Sequence, residues 1–201
     1  MQELNEPFLK IREDDYTSFI LFYEKHKNSI DKIEIDKSED VFYFKLKVIG
    51  NYGRALFSTK SFKKAITPLK TAILMLEHAE KHHFKNKKLT SISYYEFLLF
   101  LYAQSYYCIK DYKSSRYQFQ KLAKLFPLNT SYKNWLQHST YYSIQWVFNI
   151  VFTLAILLII SDSFIHSIDS SMLSTLGISL GIIAILTQWI WKKSLKQKQV
   201  V

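Results

Sequence analysis

Few residues in this chain have the type and spacing for catalysis. There is no Gly-rich phosphate loop ending in Lys-Ser or Lys-Thr, no Gly-x-Ser-x-Gly elbow and no His-Glu-x-x-His zinc helix. His82 and His83 are adjacent, so on a helix they point to different sides, and Lys81 and Lys85 beside them oppose a cation. Glu24 and His26 have no convergent partner in the sequence. Cys108 is the single cysteine, so no disulfide forms within the chain, and a lone thiol in an apolar helix reads as a small, inert, buried residue. The expectation is a protein with no catalytic group, no cofactor and no metal.

The sequence speaks instead about binding and membranes. The chain has 201 residues and a formal net charge of +10, with 4 Gly and 3 Pro. So few backbone breakers predict a mostly helical protein. The opening Met1-Gln2-Glu3-Leu4-Asn5-Glu6-Pro7 lacks the basic and apolar regions of a secretory signal, so the N-terminal domain is expected to stay on the side where it is made.

No Asp, Glu, Lys or Arg occurs between Lys133 and Asp162, nor between Asp169 and Lys192. A bilayer core takes about 20 helical residues, with a working range of about 17–25. Two spans are predicted, over about 144–161 and 171–191, the bland alternative being a buried hairpin in a soluble protein. The loop between them carries Asp162 and Asp169 but no Lys or Arg. Lys121, Lys124 and Lys133 precede the first span, and Lys192, Lys193, Lys196 and Lys198 follow the second. Basic residues stay cytoplasmic. Both termini are therefore expected in the cytoplasm, with the protein in the plasma (inner) membrane. Trp146, Trp189 and Trp191 would share the inner interface, where aromatic rings settle. Gly177 and Gly181 make a Gly-x-x-x-Gly groove for close helix packing, either on span one near Ala155 or on a second copy as a homo-oligomer. Asn149, the one strong amide of span one, either donates across helices or meets headgroups. With no ionisable residue in either span, a proton- or ion-coupled transporter is disfavoured.

Two stretches ahead of the spans align without gaps. One runs through Tyr52, Gly53 and Leu56, then Phe62, Ala65, Leu69 and Ala72. The other runs through Tyr102, Ala103 and Tyr106, then Tyr112, Ser115, Phe119 and Leu122, ending at Phe126-Pro127. This pattern resembles the tetratricopeptide repeat family over roughly residues 40–142. Small residues at Gly53, Ala65, Ala103 and Ser115 would let paired helices touch. The units lie 50 positions apart, against about 34 in the family. A long second helix from Phe62 to about His82 and a basic loop, Lys85 to Lys88, would absorb the excess. Leu56 and Leu122 also depart from the family's aromatic and small positions. The resulting expectation is an all-α chain: a capping helical region over 1–38 with a helix over 15–27, a repeat domain over 39–143, a transmembrane hairpin over 144–191 and a basic tail over 192–201. The helix over 131–142, with Trp135 and Leu136 inward, would run straight into the first span.

The resemblance implies a groove lined by the first helix of each unit, taking a peptide or helix of a protein partner. By position that groove holds Lys47, Asn51, Arg54 and Phe57 from unit one and Phe97, Phe100, Gln104 and Tyr107 from unit two. The competing reading of Phe97 and Phe100 is that they cover the capping helices. The surplus positive charge suits anionic membrane lipids better than nucleic acid. The leading functional expectation is a membrane-anchored scaffold or adaptor. A two-span membrane-active effector with a helical sensor domain, or a small subunit of a larger membrane complex, are the alternatives.

Overall fold

The computed structural model of the chain describes residues 2–35, 38–82, 91–164 and 171–197. Among these residues there are eight α-helices: α1 Gln2–Leu9, α2 Tyr16–Asp31, α3 Glu39–Ser58, α4 Phe62–His82, α5 Ser93–Cys108, α6 Tyr112–Leu125, α7 Thr130–Phe164 and α8 Ser171–Gln197. Among the described residues there is no strand. The basic loop Lys85 to Lys88 lies outside them, as do residues 165–170 of the inter-span loop.

Local chemistry sets several of the helix ends. Asp15 caps α2, its carboxylate accepting from the Ser18 N–H at 3.0 Å and the Ser18 hydroxyl at 2.7 Å. Ser38 caps α3 through the Val41 N–H, and Asp111 caps α6 through the Ser114 N–H. Each fills one donor that a helix start leaves open. The residue before a proline is pushed out of the helical region, and α6 indeed stops at Leu125, two residues short of Pro127.

The turns after α3 and α5 have the same construction. Lys60 and Lys110 sit in the left-handed region, at φ 62° and 64°. In the first turn the Lys60 N–H donates to Phe57 O and the Ser61 N–H to Leu56 O. In the second the Lys110 N–H donates to Tyr107 O and the Asp111 N–H to Tyr106 O. Both are Schellman endings, with the 6→1 and 5→2 bonds that satisfy the last carbonyls. The two turns therefore share one backbone geometry.

Each helix from α2 to α8 packs on the next along the chain, and α3 also touches α5. Gly53, Ala65, Ala103 and Ser115 are all buried. A Cβ on Gly53 would lie 2.9 Å from the Leu69 Cγ and 3.2 Å from its backbone N, so α3 and α4 touch closely there. Polar ties cross the layers. Glu77 on α4 accepts from the Tyr95 hydroxyl at 2.8 Å and Lys121 at 2.6 Å, joining α4 to α5 and α6. Tyr132 donates to Glu96 at 2.6 Å, and the buried Ser115 and Ser139 hydroxyls meet at 3.0 Å, fixing α7 to α5 and α6.

Helix α7 is one 35-residue element. Its first part belongs to the packed core through Tyr132, Trp135 and Leu136; farther along it packs on α8. No helix break falls near residue 143, so the boundary expected there lies inside a continuous helix. Two helices, Thr130–Ser161 and Ser174–Ser194, are long and apolar enough to cross a membrane, and only 6% and 11% of their most apolar windows are buried. Most of each apolar window is exposed in this structure. Gly177 is buried on α7, where a Cβ would lie 2.9 Å from the Ala155 carbonyl oxygen, and Gly181 faces the Ala155 Cβ. The glycine face of α8 is thus occupied by α7 of the same chain. Asn149 is exposed.

Candidate functional site

A cleft of about 1020 Å³ opens between α1, α3 and the start of α5. Lys47, Asn51 and Arg54 recur on α3 at i, i+4 and i+7, which places them on one helical face, and all three line this cleft. Phe97 joins them from α5, with Tyr94 one turn earlier. Phe8 and Leu9 of α1 and Leu46 of α3 supply the apolar wall, and Glu13 is on it as well.

Arg54 lies over two rings, its guanidinium carbon 5.7 Å from the Tyr16 centroid and 5.9 Å from that of Phe97. Such contacts use the ring quadrupoles and leave the N–H donors free. Among the described residues no carboxylate stands within salt-bridge distance of Arg54. The Tyr94 ring stacks near Phe97, centroids 6.4 Å apart. Its hydroxyl is buried without a hydrogen-bond partner among the described residues. It occupies the space where a Cβ on Gly50 would stand, so the tyrosine tip and the α3 backbone meet only because residue 50 is glycine. Burial pushes the Tyr94 hydroxyl up to about 12, with the nearby Arg54 charge pulling the other way.

The other residues expected in a groove go elsewhere. Phe57 packs edge-on against Phe62 at 5.2 Å, inside the α3–α4 pair. Phe100 is wedged among Phe119, Tyr132 and Trp135, centroids 6.1, 5.6 and 6.4 Å away. Tyr107 meets Tyr112 at 5.3 Å and Trp135 at 5.1 Å. Burial first, then the neighbouring tyrosines, pushes Tyr107 up to about 12. Gln104 is half-buried and does not line the cleft. So the cleft gathers Lys47, Asn51, Arg54 and Phe97, while Phe57, Phe100 and Tyr107 serve helix packing. Phe100 and Tyr107 both pack against Trp135 of α7.

Sequence reasoning missed Tyr94, Tyr16 and the α1 wall. The signal for α1 was present in Leu4, Phe8 and Ile11, spaced i, i+4 and i+7. Phe8 anchors α1 among Phe19, Phe22 and Phe44, all within 5.8 Å. Cys108 is the last residue of α5 and is exposed, contrary to the buried position expected for it; partial desolvation raises its pKa, which favours the neutral thiol. His83 lies outside the described residues. Among the described residues no group of three His, Cys, Asp or Glu could hold a metal.

The end of the hairpin nearest the helical domain is rich in aromatics. Trp191 meets Tyr141 at 5.8 Å and Phe148 at 6.5 Å, and Lys193 lies over Trp189 at 5.1 Å. Trp146 and Trp189 are largely exposed.

No family model matches the chain, and no curated protein or solved structure matches it.

Proposed function

We propose that this chain is a non-enzymatic, membrane-anchored adaptor whose helical domain recruits a protein partner to the cytoplasmic membrane face. In this reading α3–α4 and α5–α6 are two tetratricopeptide-like units, α1, α2 and the start of α7 cap them, and α7 and α8 form the transmembrane hairpin. The observation that carries it is the open cleft between α1, α3 and α5, where Arg54, Lys47 and Asn51 stand beside the half-exposed Phe97. Binding energy at interfaces concentrates in aromatic and Arg anchors, and this cleft offers both. The repeated Schellman turns at Lys60 and Lys110 support the repeat assignment. The aromatic and basic end of the hairpin suits an interface with anionic lipids.

A photo-crosslinking amino acid at Phe97, in native membranes, tests the adaptor reading. A discrete protein adduct from position 97, absent from a probe at the exposed Lys63, is expected. Equal, diffuse labelling from both positions would reject the cleft as the recruiting surface. For topology, single cysteines at Ser167 and Ser194 in a Cys108→Ser background should react oppositely with an impermeant thiol reagent. Position 167 should label from outside intact cells and position 194 only after lysis.

A further inference from the structure

The cleft wall is chemically uneven, and that unevenness selects a ligand. Arg54 is already placed over Tyr16 and Phe97, so its planar fork is ordered before anything binds. Among the described residues its charge is met by ring faces, and its N–H groups have no carboxylate partner. A guanidinium in that state matches a carboxylate in two-point geometry. Lys47 stands two helical turns earlier on the same face, with Asn51 between them. Beside these polar groups Phe97 offers apolar surface. Glu13 is the one acid among the residues lining the cleft, and it is exposed.

We infer that the cleft takes an acidic peptide segment in which a carboxylate stands next to a large apolar or aromatic side chain, the carboxylate on Arg54 and the apolar group on Phe97. This rests on the adaptor reading and gives its partner a chemistry. Charge complementarity argues for it twice. The local wall presents Arg54 and Lys47, and the whole chain carries +10, which draws an anionic segment toward it. The prearranged aromatic neighbours reduce the ordering that binding must impose on the guanidinium.

The test uses the full chain in nanodiscs of neutral phosphatidylcholine, so that no anionic lipid competes. A phage-displayed library of random dodecapeptides is selected on it, in parallel with Arg54→Gln and Lys63→Gln. The two variants lose the same charge, but only one loses it in the cleft. Selected sequences should carry Asp or Glu beside Phe, Tyr, Trp or Leu on the parent and on Lys63→Gln, and should lose that signature on Arg54→Gln. The strongest peptide is then synthesised with its acid and with the matching amide. On the parent protein the amide should bind at least tenfold more weakly, and on Arg54→Gln the two should agree within about twofold. Selection of uncharged or basic sequences, no selection at all, or equal binding of acid and amide by the parent would overturn the inference. The acid-against-amide comparison needs no variant, so it decides the matter even where Arg54→Gln fails to fold. A discrete crosslink from position 97 together with an uncharged selection would leave the adaptor standing and remove only the acidic preference.

Discussion

Replacing Gly53 by alanine asks how closely α3 and α4 are packed. Two effects oppose each other. Alanine in a helix interior is favoured over glycine by about 1 kcal/mol. Against this, the new Cβ would stand 2.9 Å from both Cγ and Cδ2 of Leu69 and 3.2 Å from the Leu69 backbone N. Cγ is the branch point of a fully buried side chain, not its free end, and a backbone atom cannot swing aside. The helices must part locally, and overpacking of this kind costs about 1–3 kcal/mol. The net expectation is a loss of about 1 kcal/mol, which for a chain of this size lowers Tm by about 2–4 °C. Thermal unfolding in mild detergent, followed by circular dichroism at 222 nm, measures it. A double-mutant cycle sharpens the result. Leu69→Ala alone should cost about 2–5 kcal/mol, but in its presence Gly53→Ala should cost less than in the parent, because the Cγ and Cδ2 contacts are gone and only the backbone N at 3.2 Å remains. If Gly53→Ala raises Tm by itself, or if the two changes add, the close contact argued here does not exist.

Three further outcomes follow from the packing. Phe100→Ala with Tyr107→Ala should lower Tm sharply and weaken the helical signal, because both rings are wedged against α7, each truncation costing about 3 kcal/mol or more; a fully folded double variant would return them to the surface. Gly177→Leu should separate the hairpin, since its Cβ alone would stand 2.9 Å from the Ala155 carbonyl oxygen. Cysteines at Ala155 and Gly181, in a Cys108→Ser background, should then crosslink less efficiently than without the leucine. Desolvation lowers the His138 pKa, so the folded state binds this proton less well than the unfolded one. Its contribution is complete above the unfolded value of about 6.5 and is lost as pH falls through the lower folded value. Tm should therefore drop on acidification below about 6.5, and His138→Gln should flatten that drop, as melts at a series of pH values would reveal.

How much of this could be read from the residues depends on the asymmetry of each helix. Helix α4, Phe62–His82, was legible because Phe62, Ala65, Leu69 and Ala72 mark one face. The run of α7 into a long apolar helical stretch was legible from the uncharged residues after Lys133. Helix α5 behaves differently. Apolar residues surround it from Tyr94 to Tyr107, and a helix apolar on all sides gives no signal for which side meets which neighbour. That is why helical spacing grouped Phe97 with Phe100 and Tyr107, although only Phe97 looks into the cleft. The cleft itself depends on α1 reaching across to α3. A helix of eight residues with Pro7 inside has little propensity of its own, and its place is set by Phe8 in a distant aromatic cluster. Gly177 and Gly181 were legible as a close-packing surface, but spacing alone left open whether span one or a second copy would fill it.

The unbroken α7 has a mechanical meaning. Between Thr130 and Phe164 there is neither glycine nor proline, so nothing in the sequence provides a swivel between the helical domain and the hairpin. With the hairpin in a bilayer, the domain is bolted to its anchor rather than tethered. The stretch from residue 130 to 143 is about 20 Å of helix. A change of about 10° in hairpin tilt, the kind that bilayer thickness imposes, would swing its far end by roughly 3–4 Å. On the proposed anchoring, the direction in which the cleft faces would be a property of the membrane as much as of the protein, and a thicker or thinner bilayer would re-aim it without altering a contact inside the fold.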